Sequence, residues 1–280
     1  MRVGGESDGR ILVEQFMHTR VIASLIAVVG VQVFAAVAVV SLHRSEAWLR
    51  RALPYVISVA VGVLLATGVV HLLPEAVEAL GNRSAVWVVV VLTMLGLYSF
   101  ERIFHAFSGV SAEPAADAEA AHEKGHHHHH HASRPATLLL GSFMHSLVDG
   151  TGIAAAFAID ARVGWVTALA VGLHEVPHRL GDFALLIHMG VSRGRAAALA
   201  VGAGGSSLLG WGLVAALGDH RSHHVAWLLP VSAGSFLYIS LVDLLPELQQ
   251  ERRPRAVLGQ IIGLAVGIAL ALGLTHIPGA

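Results

Sequence analysis

Residues 163–188 read VGWVTALAVGLHEVPHRLGDFALLIH, an apolar run long enough to cross a bilayer that nevertheless carries His174, Glu175, His178, Arg179 and Asp182. A helix needs about 20 apolar residues to span the hydrocarbon core. A charged residue near its centre costs roughly 2.5–3.5 kcal/mol on insertion scales, so each one requires a partner or a purpose. At 3.6 residues per turn His174, His178 and Asp182 form one stripe, with Glu175 beside it.

The rest of the chain gives this segment its setting. Of 280 residues 55% are hydrophobic and only 13% charged, with a mean hydropathy of +0.67, values outside the soluble globular range. Eight candidate spans appear, at Val21–Leu42, Tyr55–Leu73, Ala85–Phe104, Ala136–Ile159, Val163–His188, Ala196–Leu217, Val225–Leu245 and Ala256–Thr275. The fold class expected is therefore an all-α integral membrane protein of about eight transmembrane helices, forming one domain over residues 1–280. A cleaved signal peptide is not expected, because the first apolar run begins late and is long enough to span. The basic residues are scattered and the net charge is −1, so no footprint for nucleic acid exists. Cysteine is absent, which removes disulfides and thiolate ligands and leaves imidazole and oxygen donors. Arginine greatly outnumbers lysine, pointing to a GC-rich bacterial genome and hence a bacterial cytoplasmic (inner) membrane.

Loop charge sets orientation, because Lys and Arg near helix ends favour the cytoplasm. The first, third, fifth and seventh loops hold 11 such residues, including Arg50, Arg51, Arg193, Arg195 and Arg252 to Arg255, against three in the others, Arg83, Arg162 and Arg221. Both termini are expected outside. His71-Leu72-Leu73-Pro74-Glu75 closes the second candidate span and Asp243-Leu244-Leu245-Pro246-Glu247 the seventh, on helices of opposite direction. Such matching is what an inverted repeat leaves in sequence, although Leu-Leu-Pro-Glu also ends membrane helices by chance.

The fourth span adds His145 and Asp149 one turn apart. Imidazole and carboxylate at i and i+4 can share one cation, and zinc accepts both at about 2.0–2.2 Å. Facing helices can thus offer His145, Asp149, His174 and His178, with Glu175 as a fifth donor. Pro177 cannot donate to the carbonyl of Leu173, which frees an oxygen at membrane depth. Arg179 can pair with Glu175 or with Asp182.

At these residues the chain resembles the ZIP (Zrt/Irt-like) family of metal transporters, in particular the subfamily with a His-Glu-x-Pro-His-Glu-x-Gly-Asp fifth-helix signature. The resemblance runs through His145 to Gly150, His174 to Leu186 and Leu241 to Glu247, with the second-span His71 to Glu75. It implies eight helices in a three-two-three arrangement with inverted repeats, a homodimer, and alternating access that moves metal toward the cytosol. It implies metal held by His145, Asp149, His174 and His178, with Glu175 at a second or bridging position and Asp243 on an acidic exit route. His71, Glu75, Ser146, Asp182 and Glu247 are further pathway or secondary candidates. Ser146 stands where the family often has Asn, and Arg179 where this subfamily has Glu, departures that weaken a two-metal centre.

Residues 108–135 form a His-rich loop expected on the cytoplasmic side, with His122 and the six consecutive residues His126, His127, His128, His129, His130 and His131. Six histidines look like an affinity tag, but tags are normally terminal and this run is embedded in an acidic, His-bearing loop. It is expected to receive or sense metal. The outer-face residues His220, His223 and His224 can gather incoming ions. No catalytic cofactor is expected. Zn(II) is the expected substrate, and the ligand chemistry also suits Fe(II), Mn(II), Co(II), Ni(II) and Cd(II). Two rivals share the residues. His174-Glu175-Val176-Pro177-His178 satisfies the HExxH pattern of an intramembrane zinc metalloprotease, with Glu175 as general base. A metal-sensing receptor that binds without conducting would also display them.

Overall fold

A computed structural model describes residues 4–42, 46–108, 135–217 and 223–274. Among these residues there are only helices and turns, arranged as eight rods that match the candidate spans to within a few residues at most ends. We label them α1 (Gly4–Leu42), α2 (Glu46–Ala66 continuing through Thr67–Leu72 to Leu73–Leu80), α3 (Ser84–Ser108), α4 (Pro135–Ile159), α5 (Ala161–His188), α6 (Arg193–Gly204 with Ser206–Ala216), α7 (His223–Ala226 through Leu228–Tyr238 and Ile239–Leu244 to Leu245–Gln249) and α8 (Pro254–Leu274). Seven are long and apolar enough to cross a membrane on length and composition. The exception is α5, whose 28 residues carry the charges described above. The His-rich loop lies largely outside the described residues, including His122 and His126 to His131; so does His220.

Two sharp caps fix α5. Asp160 is extended and its carboxylate accepts from the backbone N–H groups of Arg162 (2.8 Å) and Val163 (3.2 Å), satisfying two of the donors a helix start leaves open. At the other end Gly190 adopts φ +83°, while the N–H of Val191 reaches Leu186 and that of Gly190 reaches Ile187. This is a Schellman closure, which needs a left-handed residue at that position. Between the caps α5 is helical through Pro177.

α5 is embedded among α1, α2 and α4, and α4 in turn lies against α6. The α4–α6 contact is backbone to backbone. A Cβ on Gly150 would stand 1.9 Å from the Ser207 carbonyl oxygen, and one on Gly210 would stand 2.1 Å from that of Leu147. Small residues allow this approach where hydrophobic driving force between membrane helices is lacking. The buried apolar core gathers Val28, Leu64, Leu72, Ile153, Phe157 and Phe236. α3 and α8 instead expose Val88, Leu92, Leu95, Ile261 and Ile262, as expected of surfaces solvated by lipid tails.

The repeated motif does not end its helices. In both α2 and α7 it straddles a π-helical segment, Thr67–Leu72 and Ile239–Leu244, after which the rods continue to Leu80 and Gln249. The same offset separates Thr67 from Ile239 as separates His71 from Asp243. Pro74 and Pro246 have no N–H for the carbonyl four residues back, and the preceding N–H groups of Leu73 and Leu245 reach five residues back, to Gly68 and Ser240. One proline at matched positions, each after one wide turn, makes the likeness of the two halves conformational as well as sequential.

Candidate metal centre

Helical spacing puts His145 and Asp149 on one face of α4, and that face meets α5 at His174. The three side chains converge on one oxygen. Asp149 Oδ2 lies 3.2 Å from His174 Nε2 and 3.3 Å from His145 Nε2, and the two imidazole nitrogens are 3.2 Å apart. One ligand atom from each of His145, Asp149, His174 and Glu175 falls within 4.8 Å of the others. Four donors of nitrogen and oxygen type so close together can hold a single small divalent cation.

The second nitrogen of His174 explains why the first is available. Its Nδ1 donates to the carbonyl of Ala170, 3.1 Å away, which fixes the ring plane and leaves the Nε2 lone pair toward Asp149 and His145. His174 is essentially buried, and the ring of Phe236 on α7 stands 6.2 Å from it, edge to face. His178 lies next to this cluster but outside the four. Its ring stacks on that of His145 at 4.2 Å and 4°, and its Nδ1 is 3.5 Å from Asp182.

One turn along, a second buried group surrounds Arg179. The guanidinium donates five bonds: Nε and Nη2 to Glu175 Oε1 (3.0 and 2.7 Å), Nη1 to Asp182 Oδ2 (3.0 Å) and to Ser142, and Nη2 to Ser146. Arginine has five N–H donors, so this side chain, only 1% exposed, is fully satisfied. It takes both carboxylates offered to it by the sequence, Glu175 and Asp182. The Ser146 hydroxyl donates a hydrogen bond to Glu175 (3.2 Å) and that of Ser142 donates one to Asp182 (2.6 Å). Gln32 on α1 adds a fourth donor group to Glu175 Oε1, at 3.3 Å. The other oxygen, Oε2, is buried and makes no hydrogen bond.

The remaining candidates are spread along the bundle. His71 is buried and its Nε2 donates to the carbonyl of Ala271 on α8, 3.1 Å away. Glu75 borders an open cavity of about 550 Å³ with Glu78, Asp160, His223 and Arg20. His223 and His224 are exposed, and His223 accepts from the Trp227 indole N–H at 3.3 Å. Asp243 is half-buried and Glu247 exposed, both on α7. Sequence reasoning missed Gln32 and Ser142. Gln32 had a signal, as the lone amide in the apolar stretch Val21–Leu42; Ser142 had none beyond its place one turn before Ser146.

Known proteins resemble this chain over most of its length. The family model described as ZIP zinc transporter matches residues 17–137 and 111–275. A human protein named Zinc transporter ZIP13 is 31% identical over 266 residues, covering 81% of this chain and 71% of the relative. The mouse protein of the same name is 30% identical over 264 residues, covering 84% and 73%. Human Zinc transporter ZIP4 is 40% identical over 121 residues, covering 43% of this chain and 18% of its own length.

Proposed function

The chain belongs to the ZIP zinc transporter family, and from that premise we propose that it carries Zn(II) across a bilayer toward the cytosol by alternating access, with His145, Asp149, His174 and Glu175 as the ligands met midway. The observation that carries the assignment is the convergence of four nitrogen and oxygen donors from α4 and α5 within 4.8 Å, inside the helix bundle. Charged groups at membrane depth mark substrate paths because their cost is offset only by partners or by an ion. His178, stacked on His145 beside the four donors, is the further ligand of this proposal. Glu75 and His71 toward one face, and Asp243 and Glu247 toward the other, are steps along the path. The loop 108–135 collects or senses metal on the cytosolic side. Both termini outside, a bacterial cytoplasmic membrane and a homodimer belong to the same proposal, the first on loop charge, the second on arginine usage and the third on the resemblance. Fe(II), Mn(II), Co(II), Ni(II) and Cd(II) are further substrates that the donor set admits.

The HExxH match does not make the chain a peptidase, since the family and the named relatives are transporters, not enzymes. The test is uptake of radioactive zinc by proteoliposomes holding the purified protein, with the other metals as competitors. Zinc accumulates with the unaltered protein and ceases with Asp149→Ala or His174→Ala. A sealed, correctly oriented preparation that binds zinc without any flux would favour the receptor reading.

A further inference from the structure

We propose that Arg179 is a resident cation that limits the core centre to one divalent ion, a deepening of the transport reading on which it rests. The argument is one of charge and of donors. Asp149, Glu175 and Asp182 are all nearly or fully buried; their basic neighbours are the imidazoles of His145, His174 and His178 and, among the described residues, one permanently charged side chain, Arg179. Ligation requires neutral imidazoles and ionised carboxylates. Three carboxylates and one guanidinium then leave two negative charges, which a single divalent ion cancels. A second ion would leave an excess of two positive charges beside nearly buried groups, which the low dielectric of the bundle interior makes costly.

The donor geometry gives the same answer. A second ion next to the first needs several oxygens, and one oxygen of each of Glu175 and Asp182, with both neighbouring hydroxyls, is already committed. Arg179 binds Glu175 Oε1, Asp182 Oδ2 and the hydroxyls of Ser142 and Ser146, and each hydroxyl spends its proton on one of those carboxylates. Arg179 leaves one oxygen on each of these carboxylates, and that of Glu175, Oε2, is buried and without a partner. The side chain of Glu175 is thereby divided, one oxygen for the fixed cation and one for the moving one. Lysine cannot substitute, because its three donors cannot meet two carboxylates and two hydroxyls together. Arg179 touches no ion itself in this arrangement; it is a positioning and capacity-setting residue.

Anomalous diffraction from crystals of the full chain equilibrated with cadmium alone distinguishes core ions from those on the histidine tract by position. The unaltered protein should show one core peak, between His145, Asp149, His174 and Glu175. Arg179→Glu, which makes the buried charge that of four carboxylates, should show two, the second near Ser142, Ser146 and Asp182, and should be destabilised by chelator far more than the unaltered protein. Two core peaks in the unaltered protein overturn the inference, as does a single peak in folded Arg179→Glu. If Arg179→Glu fails to fold even with cadmium present, the inference also falls, because the second ion is meant to replace the guanidinium. No core peak in either protein removes the site assignment itself, a different failure.

Discussion

Replacing Gly150 with alanine tests whether the α4–α6 contact positions the centre. The added Cβ would lie 1.9 Å from the Ser207 oxygen, 2.6 Å from its carbonyl carbon and 2.7 Å from its Cα. All three are backbone atoms, so no rotamer relieves the clash. Restoring ordinary contact at about 3.4 Å requires α4 and α6 to part by about 1.5 Å. Gly150 directly follows Asp149, whose Oδ2 is 3.2 Å from His174 on α5. His174 is tied to Ala170 within its own helix and does not follow α4. Even half of the displacement at Asp149 exceeds the tolerance of about 0.2 Å within which metal–ligand distances fall. Overpacking itself costs about 1–3 kcal/mol, and misplacing a supporting or ligating group typically weakens metal binding about 10–100-fold. Gly150→Ala should therefore remain helical and monodisperse while its core zinc affinity, measured by chelator competition on a background lacking His126 to His131, falls by about that factor. Gly202→Ala on α6, where a Cβ meets nothing within 4 Å, is the matched control and should bind as before. Unchanged affinity in Gly150→Ala would show that the centre does not depend on this close approach.

Single alanine substitutions of His145, Asp149 or His174 should abolish most zinc uptake in proteoliposomes without loss of folded protein; near-normal flux in two of the three would exclude the assignment. Core occupancy should decline as the medium is acidified, because a proton and the ion compete for the same ring nitrogens; an equilibrium titration showing tighter zinc binding at low pH would contradict this. Deleting His126 to His131 should shift apparent affinity or regulation while flux continues, and complete loss of transport in the well-folded deletion would assign the tract a gating role. Arg179→Lys, which keeps the charge but loses donors, should lower stability by roughly 1–3 kcal/mol, the cost of leaving a buried acceptor unsatisfied, read from denaturation in detergent; a variant as stable as the original would mean that the five-bond network carries no weight.

Most of the fold was legible because hydropathy along a membrane chain is a one-dimensional quantity, and span ends follow from where it changes. The pairing of His145 with Asp149 was legible for a similar reason, since i and i+4 share a helical face. That His174 joins them, whereas His178 turns its ring face to His145, depends on how α4 lies against α5, and spacing within one helix holds no such information. The dual pairing of Arg179 was open in sequence between Glu175 and Asp182; the hydroxyls of Ser142 and Ser146, from another helix, allow both at once. Gln32 is 143 positions from its partner Glu175 and belongs to a different rod. The wide turns at Thr67–Leu72 and Ile239–Leu244 were also hidden, because a proline near a helix end reads as termination when it can equally shift the hydrogen-bond register.

The composition of α5 bears on how the chain is made. Glu175, Arg179 and Asp182 together add roughly 8–10 kcal/mol to its partition into lipid on insertion scales, so α5 emerging alone from a ribosome is a poor candidate for release into the bilayer. Its neighbour α4 is apolar, and only Asp160 separates the two rods. The hydroxyls that satisfy Arg179 are on α4, as is the carboxylate that meets His174. α4 and α5 thus form a hairpin whose polar groups pair within the couple, and biogenesis must retain α4 at the translocation machinery until α5 has arrived to enter with it.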